Sequence, residues 1–256
     1  MNEAPFSFVL SLDELSWLAA AMDMTALPLP AGLYAERSLD ERRAAQRRGC
    51  QSLLGRGLLR RLESGKHQVE GLLTASLFWM NSAPSAVRLE EVCRDASSRT
   101  LSLFALEAEE AFLALEWRSP EALFTIFPSR SLLEHYLQNW LALPMGEASA
   151  PPAAALPQPL TLIPLLWQDA RRGKGVLTEW GVHGAELEEV LNWAAALQRT
   201  AVIARRDQGE DAYRDDGALA CSDSAAWIGR EEGETHFRFT SWQGNWSAFF
   251  AEFLPG

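Results

Sequence analysis

Alternation of apolar and polar positions opens the chain. Phe6-Ser-Phe-Val-Leu alternates as a strand does, and Ser11 follows in the place of a helix N-cap, with Glu14 three residues on to complete a capping box. The period then changes. Leu12, Leu15, Trp17, Leu18 and Met22 form the apolar face of a helix that Pro28 and Pro30 stop. After a Pro/Gly connection over 27–33, an arginine-rich helix is predicted from about Asp40 to Leu54, and Gly55-Arg-Gly-Leu-Leu turns the chain toward Arg60. Val69 to Met80 reads as an apolar helix ended by Asn81-Ser-Ala-Pro. Leu89-Glu-Glu-Val predicts the start of a short helix, and the same tetrapeptide at 187–190 falls inside a helix expected from about Gly184 to Gln198.

The stretch from Arg99 to Leu141 reads as three short strands and a helix, and it occurs a second time from Arg199 to Leu254. Both begin Arg-Thr. The last strand and helix superpose without a gap: Phe124 falls on Phe237, Ile126 on Phe239, Leu133 on Trp246, Tyr136 on Phe249, Leu137 on Phe250 and Leu141 on Leu254. Leu133, Tyr136, Leu137, Trp140 and Leu141 recur at helical spacing and predict a face packed on a sheet. Residues 144–159, PMGEASAPPAAALPQP, favour no regular element and make a linker between an N-terminal half, 1–143, and a C-terminal half, 160–256. The expected fold is α+β, built as a duplicated domain.

Composition narrows the class. At 256 residues and 48% hydrophobic, the chain can bury a full core. Cys50, Cys93 and Cys221 are odd in number and far apart, so they suggest neither a disulfide framework nor a C-x-x-C pair, and the cytosol is the expected compartment. No secretion signal follows Met1, and no stretch reaches the roughly 18 apolar residues of a membrane span. A formal net charge of −11 disfavours general attraction to nucleic acid or anionic lipid. One local exception is basic: eight arginines between Arg37 and Arg61 outnumber Glu36, Asp40 and Glu41. An arginine-rich solvated helix accounts for them, and a winged-helix-like nucleic-acid reader made with GRGLLRRLESGK is the alternative.

Catalytic chemistry is not indicated. His67, His135, His183 and His236 stand without partners at metal-ligand spacing, and there is no Gly-x-Ser-x-Gly elbow. Gly173-Lys-Gly is a fragment of a phosphate loop whose remaining positions are missing. The acids of DQGEDAYRDDG, 207–217, do not fall at EF-hand positions, so a solvated hairpin loop is the expectation. Neither a metal nor a cofactor is expected.

The order of the N-terminal elements carries a resemblance. A strand and helix (FSFVLSLDELSWLAAAM), an Ala/Arg helix running into LLGRGLL, a polar break and a helix ending near Ser82-Ala-Pro, followed by the duplicated unit, resemble the EspG family, cytosolic chaperones of type VII secretion in actinobacteria. The resemblance implies a pseudo-twofold fold in which a central antiparallel sheet is flanked by helical bundles. It also implies a non-enzymatic protein that holds PE–PPE or related helical substrates soluble before export. A toxin-neutralising partner protein would share the acidity and the lack of chemistry.

The expected partner is therefore a helical protein client. Loops on a rigid scaffold are where recognition sits, and the two equivalent strand-connecting loops, Glu107 to Glu110 and Asp207 to Gly217, are both acidic. Glu107, Glu109, Glu110, Asp211, Asp215 and Asp216 are the candidate steering carboxylates, and Trp227 is the candidate buried anchor.

Overall fold

The computed structural model describes residues 4–22, 24, 38–106, 111–146, 150–207, 212–232 and 236–254. Two compact units divide it, one of Met1–Ala86 with Leu101–Leu132, the other of Val87–Thr100 with Leu133–Gly256. The first begins as its sequence predicts. Strand β1 (Phe6–Ser11) runs into helix α1 (Leu12–Ala21), where the Glu14 backbone N–H donates to Ser11 Oγ at 3.2 Å and the Ser11 N–H donates to Glu14 Oε2 at 2.8 Å. A second capping box, Ser38 with Glu41, starts helix α2 (Leu39–Gly55). The helices α1 and α2 lie so close that Gly49 is obligatory: a Cβ there would sit 2.0 Å from the Asp13 carbonyl oxygen. A short hairpin of β2 (Leu59–Arg61) and β3 (His67–Val69) then leads to helix α3 (Gly71–Ser82).

The next strands are β4 (Ala86–Cys93), β5 (Ser98–Leu106), β6 (Ala111–Arg118) and β7 (Glu121–Phe127), followed by helix α4 (Arg130–Leu141). In the first unit the order is β1-β7-β6-β5. Antiparallel registry sets Phe8 against Phe124 and Leu10 against Ala122, and the Phe8 and Phe124 rings stack at 4.9 Å. Leu10, Leu15, Leu18, Leu53, Leu77 and Phe124 are fully buried.

The sequence after 150 gives β8 (Leu156–Pro157), three helices, α5 (Pro159–Gln168), α6 (Ala170–Glu179) and α7 (Gly184–Ala196), then β9 (Arg199–Arg206), β10 (Arg214–Cys221), β11 (Ala226–Glu231), β12 (His236–Ser241) and α8 (Trp246–Phe253). The second unit orders its strands β5-β4-β9-β10-β11-β12-β8, with β5 entering through Ser98–Thr100 before continuing in the first unit. Ten strands thus make one antiparallel sheet of an α+β protein with eight helices among the described residues. The core of the second unit holds Leu156, Ile163, Leu177, Val190, Trp227 and Phe237. Small residues on β10 and β11 make room for it: a Cβ at Gly217 would meet the Phe253 ring at 2.5 Å, and one at Gly229 the Phe239 ring at 2.9 Å.

Three sequence expectations are corrected. The stretch 144–159 is not free of regular elements, since Leu156 and Pro157 pair with Phe237 and His236 of β12. Leu89-Glu-Glu-Val is strand, not helix, because Val87, Leu89 and Glu91 alternate inward and the chain turns back at once. That turn is fixed locally, with Asp95 Oδ1 accepting from the Ser97 N–H at 2.9 Å and Ala96 at a left-handed φ of 66°. Before α8 there are four strands rather than three, since Ser222–Ala225 closes a hairpin between β10 and β11.

The bounds of several elements differ by a common spacing. A shift of 113 residues, the distance from Ala86 to Arg199, carries β4 onto β9 end to end and sets α3 within the bounds of α7. It also brings β7 and α4 over β12 and α8. Arg99 lies 113 residues before position 212 rather than before Arg199, so the two Arg-Thr pairs do not share this spacing.

Candidate partner-binding surfaces

The acidic residues singled out in the sequence divide into two groups. Glu107, Glu109, Glu110 and Asp211 lie outside the described residues. Asp215 and Asp216 belong to β10, which begins at Arg214, so the connection from 207 is shorter than its composition suggests. Asp216 ion-pairs with Arg205 at 3.3 Å. The Asp215 carboxyl is raised above its ordinary range by partial burial, then by Glu90 and Glu231, against the opposing pull of Arg88. Beside them Tyr213 lies under the Arg88 guanidinium, 4.5 Å from its ring centre.

Trp227 is no surface anchor. It is 2% exposed, because strand alternation turns it inward onto α7, where its ring meets Trp193 edge-on at 5.7 Å. Among the described residues the large exposed apolar side chains are elsewhere, including Phe78, Met145 and Trp180.

A second buried carboxylate, besides Glu14, is held by two arginines. Glu91, 4% exposed on β4, accepts from Arg99 Nε at 2.7 Å and from Arg199 Nη1 at 2.8 Å. Arg99 donates further to the Trp140 carbonyl at 2.7 Å and lies 4.0 Å over the Trp140 ring; Arg199 donates to the Ala142 carbonyl at 2.8 Å. The carboxylate is thus held between two guanidinium groups that also fix the end of α4. Cys221 lies near Arg199, but burial pushes its thiol up to about 11, which keeps it protonated and unreactive. The signal available in the sequence was the alternation Val87, Leu89, Glu91, which marks Glu91 as an inward position once β4 is read as a strand.

The arginines between 37 and 61 also divide. Arg48 donates to Asp13 Oδ2 at 2.7 Å, and Arg56 Nη1 donates to both Glu14 oxygens at 2.8 and 2.9 Å while its Nη2 bonds the Val9 carbonyl at 2.8 Å. These two hold α2 onto α1 and β1. Arg43 and Arg47 instead face outward, with Gln46, Cys50 and Trp17 of α1, around an open groove of about 400 Å³. Among the described residues no group of three or more His, Cys, Asp or Glu could hold a metal ion, and no helix is long and apolar enough to cross a membrane.

No protein-family model and no curated protein matches the sequence. Among solved structures, the chain matches the Mycobacterium tuberculosis type VII secretion system chaperone EspG5, solved in complex with a PE25–PPE41 dimer, with a TM-score of 0.53 over 96% of this chain and 94% of that one. The chain shares the fold of EspG5. Identity to EspG5 is 10%, so what the two have in common is the arrangement of elements rather than their residues. The likeness to EspG5 spans nearly the whole length of both chains, and neither is matched by a fragment of the other.

Proposed function

We propose that this protein is a non-enzymatic chaperone or adaptor of the EspG kind, working in the cytosol, that holds a helical protein client soluble before its secretion. The full-length fold likeness to EspG5, a chaperone solved with a PE25–PPE41 dimer, carries this reading. Binding that covers an apolar surface of the client removes it from self-association by mass action.

The reading includes an internal duplication with pseudo-twofold order. Its support is the common shift of 113 residues and a strand order that reads alike from both ends, with β1 beside β7 as β8 is beside β12. The acidic stretches remain the proposed steering elements: Glu107, Glu109 and Glu110 on one side, Asp211, Asp215 and Asp216 on the other. The apolar contact area must come from exposed side chains other than Trp227.

Purification from the native host, with mass spectrometry of whatever co-elutes, tests the function. A stoichiometric helical protein that aggregates alone and stays in solution with the chaperone is the expected result. A client equally soluble without it, or no co-eluting protein at all, sinks the proposal.

A further inference from the structure

On α2, Arg43, Gln46, Arg47 and Cys50 recur at three- and four-residue spacing and so share one helix face, and with Trp17 of α1 they line the open groove described above. His67 of β3 meets the Trp17 ring edge-on, with centroids 5.6 Å apart and planes at 82°, and fixes that ring as one wall. Gln46 and Cys50 on the same helix face are half-buried. The ion pair of Arg43 with Asp40 spans 3.9 Å between side chains 73% and 96% exposed, and such a pair holds back little of the positive field. A basic groove with an aromatic wall therefore stands on a chain whose net charge is −11.

We propose that this groove docks a helical segment of a protein partner carrying two carboxylates one turn apart with an apolar side chain beside them. Arg43 and Arg47 are themselves one turn apart, so their guanidinium forks match carboxylates at i and i+4 of the incoming helix. The apolar side chain settles against Trp17 and Cys50. Duplex nucleic acid fits less well, because it calls for a longer run of cations. Arg48 and Arg56, which would extend the run, are bonded to Asp13 and Glu14. The inference stands on the groove itself and is separate from the chaperone reading.

The probe is a fluorescent Ala-based helical peptide with Glu at i and i+4 and Leu at i+3. Its controls are the same peptide with Lys for Glu and a duplex DNA. Anisotropy at low salt gives affinity, and the alkylation rate of Cys50, read by mass spectrometry apart from Cys93, reports the groove. The Glu peptide is expected to bind, to slow Cys50 alkylation, and to weaken as salt rises. Arg43→Glu with Arg47→Glu should cost at least about tenfold in affinity and turn the preference to the Lys peptide, and the milder Arg43→Gln with Arg47→Gln should weaken binding in a protein whose circular dichroism is unchanged. Any of four results overturns the proposal: no binding of the Glu peptide, equal binding of the Lys peptide, binding of DNA in place of peptide, or a Cys50 thiol that is inert in the unbound protein.

Discussion

Arg199 Nη1 lies 2.8 Å from Glu91 Oε2, joining the first residue of β9 to a buried carboxylate on β4. Arg99 takes the other oxygen at 2.7 Å. Glu91→Gln leaves two cations facing a neutral amide and should cost about 3 kcal/mol in urea unfolding, the lower end for removing one partner of a buried pair, since the Arg99 side chain is 34% exposed. Arg199, at 16%, should matter more than Arg99 when each is replaced by Gln. Equal stability of Glu91→Gln and wild type would contradict this account.

Gly49 and Gly55 share a helix and should answer oppositely to alanine. A methyl at Gly49 overlaps the Asp13 carbonyl, so Gly49→Ala should destabilise by about 1–3 kcal/mol despite better helix propensity. Nothing lies within 4 Å of a Cβ at Gly55, so Gly55→Ala should be neutral or gain up to about 1 kcal/mol. Thermal melts of the two variants side by side decide it.

Asp215 sets a pH dependence with a definite sign. Its carboxyl is raised in the folded state by partial burial and by neighbouring carboxylates, so the folded chain keeps the proton longer than the unfolded one. Stability from this group is full below the ordinary aspartate value of about 3.9 and is lost as pH rises through it toward the raised folded value. Asp215→Asn should therefore be more stable than wild type at neutral pH, with the gain vanishing in acid. Denaturation midpoints at several pH values measure it.

Cys221 should resist alkylation in the native protein at mildly alkaline pH. Its thiol is 2% exposed and pushed up to about 11. Mass spectrometry should find it modified only after denaturant unfolds the chain. Rapid native labelling at Cys221 would show that its surroundings open far more readily than their burial implies.

Much of this fold was written locally. Ser11 with Glu14 announced α1, the alternation of Phe124 and Ile126 announced β7, and the stripe from Leu133 to Leu141 announced α4. The element order itself resembles that of EspG, and the match to EspG5 agrees in fold. Leu-Glu-Glu-Val shows where local reading stops. At 187–190 it is helical, where Leu187 and Val190 turn inward three residues apart; at 89–92 it is strand, where Leu89 and Glu91 do so two apart. Four residues cannot choose between those periods, and the neighbours decide: Ala86-Val87 and a tight turn in one case, the helical spacing of Leu187, Val190, Leu191 and Ala194 in the other. The burial of Glu91 and Trp227 is illegible locally for a related reason. The partners that bury them, Arg199 and Trp193, are distant in sequence.

Arg56 does more than neutralise Glu14. Its second nitrogen occupies the carbonyl of Val9 on β1, the strand at one end of the sheet. An edge carbonyl already bonded to a guanidinium is a poor template for another chain's backbone, and Phe6 and Val9 are exposed on that same strand. The arginine thus works against growth of the sheet from this edge by a second chain's strand.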